Sequence, residues 1–276
     1  MSQLASIRAW LLRRPVLSFY LLTFGLEFGS LVALLALGRL SNTAVNVLLF
    51  LPTFGAVVLS AVEGGPQGIA ALLRKFLVWR VGIQWYLFAL LSPAAVALVV
   101  RGLTALAGGS VEPVRWYSLS GLFMAAIGAP LAEEAGWRGY VLPRLQSRMS
   151  ALSASLIIGV LWGAVWHLPM FLGTAAGSFT VPFGAYVLLC VAWAIVFTWV
   201  YNHTRGSLLL AFLLHWACNV GTNMFPAWEG NQFLLQVALW WVVALAIVAV
   251  YGPRRLVRGD ATRAAEWIAT ARPAGR

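Results

Sequence analysis

The sequence predicts an all-α protein, a polytopic integral membrane helical bundle of about eight transmembrane helices. Three observations predict it. Hydrophobic residues make up 61% of the 276 residues and charged residues only 10%, against roughly 45–50% and about 25% in soluble domains. The acids are Glu27, Glu63, Glu112, Glu133, Glu134, Glu229, Asp260 and Glu266, too few to solubilise a surface of this size. The apolar residues are gathered in runs near the roughly 20 residues that cross a hydrocarbon core. Basic residues cluster between these runs and form no single stripe, so a net charge of +11 does not point to nucleic acid as a partner.

Taken in order, the runs fall at 16–38, 44–62, 82–107, 117–141, 150–172, 182–201, 207–224 and 233–251. The first is too long for a signal-peptide core and lacks a small-residue cleavage site, so it reads as a retained helix. Glu27 stands alone at its middle, either as a packing residue or as the partner of another polar group in the bundle. Met149 to Thr204 contains no Asp, Glu, Lys or Arg. It holds two crossings, with Gly173–Pro182 as the turn. Cys190 and Cys218 lie within apolar runs and read as small packing residues. The tail after Tyr251 is basic and polar, and reads as a cytoplasmic, membrane-skimming segment. Three parts follow: N-terminal spans over 1–115, a core over 116–225, and a last span with its tail over 226–276.

The distribution of basic residues orients the spans, because cytoplasmic loops carry the excess of Lys and Arg. With a cytoplasmic N-terminus, the inner segments hold Arg8, Arg13, Arg14, Arg74, Lys75, Arg80, Arg138, Arg144, Arg148 and Arg205. They also hold Arg254, Arg255, Arg258, Arg263, Arg272 and Arg276, while the outer loops hold only Arg39, Arg101 and Arg115. Both termini are therefore expected in the cytoplasm. Trp79, Trp85, Trp116, Trp199 and Trp228 lie near span ends, where amphipathic rings favour the interface. The near-absence of Lys points to a GC-rich bacterial genome, and hence to a bacterial cytoplasmic membrane.

Ionisable groups inside a bilayer are costly and need a reason. On a helix, Glu134 and Arg138 are four residues apart and pair on one face. Glu133 then points about 100° away. This division makes Glu134–Arg138 structural support and leaves Glu133 free for chemistry. A turn at Met149–Ser150 is equally far in sequence from Glu133 and His167, so an antiparallel hairpin brings the two to one depth. This requires the fourth helix to run past Arg138, with Pro143 kinking or ending it. His215 and Asn219, four apart, share one face of the seventh span. His203 reads as interfacial.

In this order, Glu-Glu-x-x-x-Arg, a histidine in Trp-His-Leu-Pro, and His-x-x-x-Asn resemble the CAAX-protease and bacteriocin-processing (Abi, CPBP) intramembrane endopeptidases. The flanking strings Glu-Glu-Ala-Gly-Trp-Arg-Gly-Tyr and Tyr-Asn-His-Thr-Arg-Gly-Ser-Leu add to the likeness, which covers about 117–222. The resemblance implies an eight-helix membrane protease with Glu133 as the catalytic glutamate, completed by His167, His215 and Asn219. One departure concerns the second motif. The family usually has an aromatic residue four before its histidine; here that position is Gly163, and Trp162 lies one further back.

Peptide hydrolysis needs an activated water and donors for the developing oxyanion. Glu133 would take a proton from water, His167 would orient that water, and His215 with Asn219 would donate to the oxyanion. No cofactor is required. The alternative is a zinc ion held by Glu133, His167 and His215, as in other His₂Glu sites. The His-Glu-x-x-His helix of many zinc proteases is absent, so the sequence does not decide whether a metal is used; of the two, the metal-free reading is the one favoured. The expected partners are membrane lipid and a membrane-bound peptide or protein substrate. Two competing readings use the same residues: a non-catalytic bacteriocin-immunity or scaffold protein, and a transporter with a Glu133–His167 proton relay. The second lacks paired Gly/Pro-broken helices in corresponding halves.

Overall fold

The computed structural model describes residues 3–172, 179–226 and 230–258. Most of the Gly173–Pro182 turn, Trp228, and the tail beyond Arg258 lie outside the described residues. The structure is an all-α bundle with no strand among the described residues. A short helix α1 (Gln3–Arg13) leads into α2 (Pro15–Ala36), α3 (Asn42–Leu48), α4 (Leu51–Leu73) and α5 (Ile83–Leu106). The core follows as α6 (Leu119–Ile127), α7 (Ala129–Glu134), α8 (Leu142–Gln146), α9 (Ala151–Val160) and α10 (Leu168–Phe171). It closes with α11 (Phe183–His203) and α12 (Leu208–Met224), and α13 (Gly230–Tyr251) completes the bundle.

Among the described residues, five stretches are long and apolar enough to cross a membrane: Pro15–Ala36, Thr43–Leu77, Ile83–Leu106, Phe183–His203 and Gly230–Tyr251. The other three expected spans are shorter or interrupted. Ala151–Trp166 and Leu208–Met224 are apolar but short. The 117–141 run is broken at Gly128, whose ψ of −128° is not helical, and Pro130 restarts it in the first turn of α7. The second span extends well past 62. It kinks at Gly64–Gly65, where Gly65 has φ +58°, a conformation open to glycine and costly for other residues.

Helix α11 is the centre. Its sequence is apolar all round, the signature of a fully enclosed helix, and 67% of its apolar stretch is buried, against 22–33% for the other four long spans. Helix α9 reaches it through glycines. A Cβ on Gly159 would lie 2.6 Å from Val191 Cα, and one on Gly163 would lie 2.9 Å from Cys190 Cβ. Small residues spaced by four let two backbones meet closely in a membrane. Cys190 and Cys218 are free and buried, as packing residues should be.

The loops sort to two ends. At one end, Arg8 bonds Val62 O, Lys75 bonds Gly139 O at 2.7 Å, and Arg205 bonds Arg80 O. There too, Asn202 bridges Gln146 and Arg255 O, and Ala151 N reaches Arg254 O. At the other end, Arg101 bonds Glu112 O, Arg115 N bonds Met224 O, and Gln232 bonds Ser110 O. His203 packs among Trp85, Trp199 and Tyr251 in an aromatic cluster.

Candidate functional site

The segment carrying the two glutamates opens as α7 and widens into a π-helix over Ala135–Val141 before α8. The returning arm does the same: α9 widens into a π-helix over Leu161–Trp166, directly before His167. Single π turns inside α-helices recur at functional sites. Seven such residues stand on one arm and six on the other, and Glu133 and His167 line one cavity. The fourth helix does run past Arg138, and Pro143 sits harmlessly in the first turn of α8.

The π turn also resolves the departure at Gly163. A π-helix makes residues five apart neighbours, so Trp162 takes the place that a residue four before His167 would hold in a regular helix. His167 Nδ1 lies 2.7 Å from Trp162 O, and a carbonyl can only accept, so Nδ1 donates. Gly163 is freed to meet α11.

Glu133 is almost fully buried, and its Oε2 accepts two indole N–H bonds: from Trp137 at 2.9 Å and from Trp162 at 2.7 Å. Oε1 takes neither. Trp137 and Trp162 are site residues that the sequence reading passed over. Trp137 was findable, since it stands four residues after Glu133 just as Arg138 stands four after Glu134. Trp162 was not, because its reach across to the other arm depends on the π turn.

Glu134 and Arg138 form the expected pair at 2.7 Å, both buried. The Arg138 guanidinium lies over the rings of Trp162 and Phe197, at 4.6 and 4.1 Å from their centroids. Such cation–aromatic contacts are strengthened by desolvation. Glu134 Oε1 has a second partner, His215 Nδ1 at 2.8 Å. The support pair and the histidine of α12 are therefore one network. Behind it, Tyr140 and Arg144 hold Glu63 of α4, tying the π segment to that helix.

Glu133, His167, His215 and Asn219 all line one cavity of about 440 Å³, in the size range of ligand pockets. Glu134 and Arg138 do not line it. His215 and Asn219 present the same face of α12 to it. Both histidines commit Nδ1 elsewhere, which leaves each ring its Nε2. Glu27 of α2 lines the cavity as well. Among the described residues no three His, Cys, Asp or Glu side chains are gathered closely enough to hold a metal ion. No step below passes through a metal.

Residues 114–221 match the family described as Type II CAAX prenyl endopeptidase Rce1-like. A CAAX prenyl protease 2 from Methanococcus maripaludis is 28% identical over 173 residues, 58% of this chain and 62% of that protein. The chain thus matches less than two thirds of that relative's length. Every residue of the cavity discussed above except Glu27 lies within the family-matched segment.

Proposed function

We propose that the chain, whose residues 114–221 match the Rce1-like CAAX prenyl endopeptidase family, is an intramembrane endopeptidase that hydrolyses a peptide bond of a membrane-associated peptide or protein. The observation that carries the reading is the convergence of Glu133, His167, His215 and Asn219 on one cavity. Two indole N–H groups fix one oxygen of Glu133. That leaves the other oriented as a base without freezing it in a salt bridge.

In this mechanism Glu133 Oε1 removes a proton from a water held with His167 Nε2. The water oxygen attacks the scissile carbonyl carbon. His215 and Asn219 receive the carbonyl oxygen as it turns negative. His215 does so by donating from Nε2, while its Nδ1 donates to Glu134 Oε1. The tetrahedral adduct then collapses, the C–N bond breaks, and Glu133 returns its proton to the leaving amine. Such general acid–base transfer contributes about 10²–10⁴-fold, and removing one oxyanion donor typically costs about 10²–10³-fold.

The test is peptide release by the detergent-solubilised chain, from apolar peptides with and without a prenylated C-terminal motif. Wild type should cleave at least one, and Glu133→Gln should lose at least about 100-fold in kcat while folding normally. A chelator should leave wild-type turnover unchanged. Loss of activity on chelation with recovery on adding zinc would replace this mechanism by the His₂Glu one. Full activity in Glu133→Gln would exclude Glu133 as the base.

A further inference from the structure

Glu27 is the acid that the mechanism leaves unused. It sits on α2, outside the family-matched segment, yet it lines the same cavity as Glu133 and His167. Its side chain is 5% exposed, and Oε2 has no hydrogen-bond partner. A glutamate placed in a bundle for packing alone would find a donor from a neighbouring helix, since unpaired buried polar groups are costly. The polar residues sharing its helix face, Thr23 and Tyr20, supply none, for their own hydroxyls are equally without partners. Glu27 lines the cavity, so an occupant there is placed to bring its carboxyl the donor that the surrounding helices do not.

The sign of that donor follows from the cavity's charge. The chain carries 19 Lys and Arg against 8 Asp and Glu, yet among the described residues no Lys or Arg lines the cavity. There the two acids Glu27 and Glu133 outnumber the one histidine, His215, that the mechanism has donating from both ring nitrogens. A low-dielectric cleft focuses the field of such groups. It would attract a cation and repel a carboxylate. Leu31, Val45 and Leu48 line the wall around Glu27. An apolar wall ending in a carboxyl suits the methylene stem and charged head of a long basic side chain.

We propose that Glu27 is an acidic subsite that binds a lysine or arginine side chain of the peptide substrate, flanking the bond cut at Glu133. The substrate class is thereby an apolar, membrane-associated peptide with a basic residue near the scissile bond. The proposal rests on the endopeptidase reading above.

It is tested on the full chain in detergent with apolar host peptides of one length. These differ at a single position, occupied by Lys, Gln or Glu, which is walked along both sides of the cleavage site. At one position, wild type should prefer Lys to Glu by about tenfold or more in kcat/KM, with the difference carried by KM. Glu27→Gln should reduce that ratio to within about twofold, and Glu27→Lys should invert it. Equal cleavage of the Lys and Glu peptides by wild type at every position overturns the proposal, and needs no variant to fold. So does a preference that persists in Glu27→Gln. If wild type cleaves none of the peptides, the endopeptidase reading is what fails. The subsite is then judged by anisotropy of the same peptides carrying fluorescein, where tighter binding of Lys than of Glu supports it and equal binding overturns it.

Discussion

Trp137 and Trp162 each spend an indole N–H on the same oxygen of Glu133, which in the proposed mechanism makes them positioning residues for the base. A hydrogen bond to a charged acceptor is worth about 1.5–3 kcal/mol, and each 1.36 kcal/mol is tenfold in rate. Trp137→Phe and Trp162→Phe keep a ring in place and remove the donor. Each should lower kcat by about tenfold or more, with KM little changed and the melting temperature nearly kept. A fall in melting temperature without a fall in kcat would make them packing residues only. Glu134 and Arg138 are a different case, because breaking a buried pair leaves a charge uncompensated at a cost of about 3–5 kcal/mol. Arg138→Ala should therefore lower folded yield and melting temperature together with activity. Changing Glu134→Gln together with Arg138→Gln removes both charges, and the glutamine oxygen still faces His215 Nδ1. Thermal denaturation should show that pair of changes recovering part of the stability. A double variant no more stable than Arg138→Ala would show that the pair is not the source of the loss.

At the scale of elements, the hairpin that carries Glu133 and His167 was legible because a seventeen-residue spacing on either side of Met149–Ser150 needs only a helical rise. The Glu134–Arg138 pair and the shared face of His215 and Asn219 were legible for the same reason: each is a regular spacing of four. What was illegible came from departures from regularity. No residue pattern announces the π turns at 135–141 and 161–166, yet they seat both tryptophans. The Gly64–Gly65 kink was likewise invisible to hydropathy, which ended the second span at 62, just before Glu63, although that carboxylate is held by Tyr140 and Arg144. Gly159 carries the contact of α9 with α11 and gives the element-scale prediction. A side chain there meets backbone at 2.6 Å, and overpacking of this kind costs about 1–3 kcal/mol or more. Gly159→Val should lower the melting temperature and displace the arm bearing His167, reducing kcat. Gly25→Ala, with nothing within 4 Å of the new methyl, serves as the neutral comparison, and equal melting temperatures for the two would remove the close approach as a determinant of the fold.

Across the whole molecule, the basic residues divide 16 to 3 between alternate connections of the chain, and the hydrogen bonds between loops divide the same way. Segments 74–80, 139–151, 202–207 and 252–258 are joined to one another at one end, through Lys75, Arg205, Asn202 and Ala151. Segments 101–115 and 224–232 are joined at the other, through Arg115 and Gln232. An odd number of crossings between Arg205 and Arg258 would put these two arginines at opposite ends, but Asn202 bonds Arg255 O directly. The interrupted helices α6 to α8 and the short α9 and α12 must therefore each carry the chain from one end to the other, although none meets the length of a free-standing span. Burial against α11 and its neighbours satisfies broken backbone at membrane depth, as it does in other bundles. By the positive-inside rule, the end that holds the excess of Arg and Lys is expected to face the cytoplasm. Reporter fusions placed after Arg205 and after Arg258 should both report the cytoplasm, and one placed after Arg115 should report the exterior. Fusions after Arg205 and Arg258 that report opposite sides would break the even count between them. If all three are inverted together, the bundle stands but the charge rule has been read with the wrong sign.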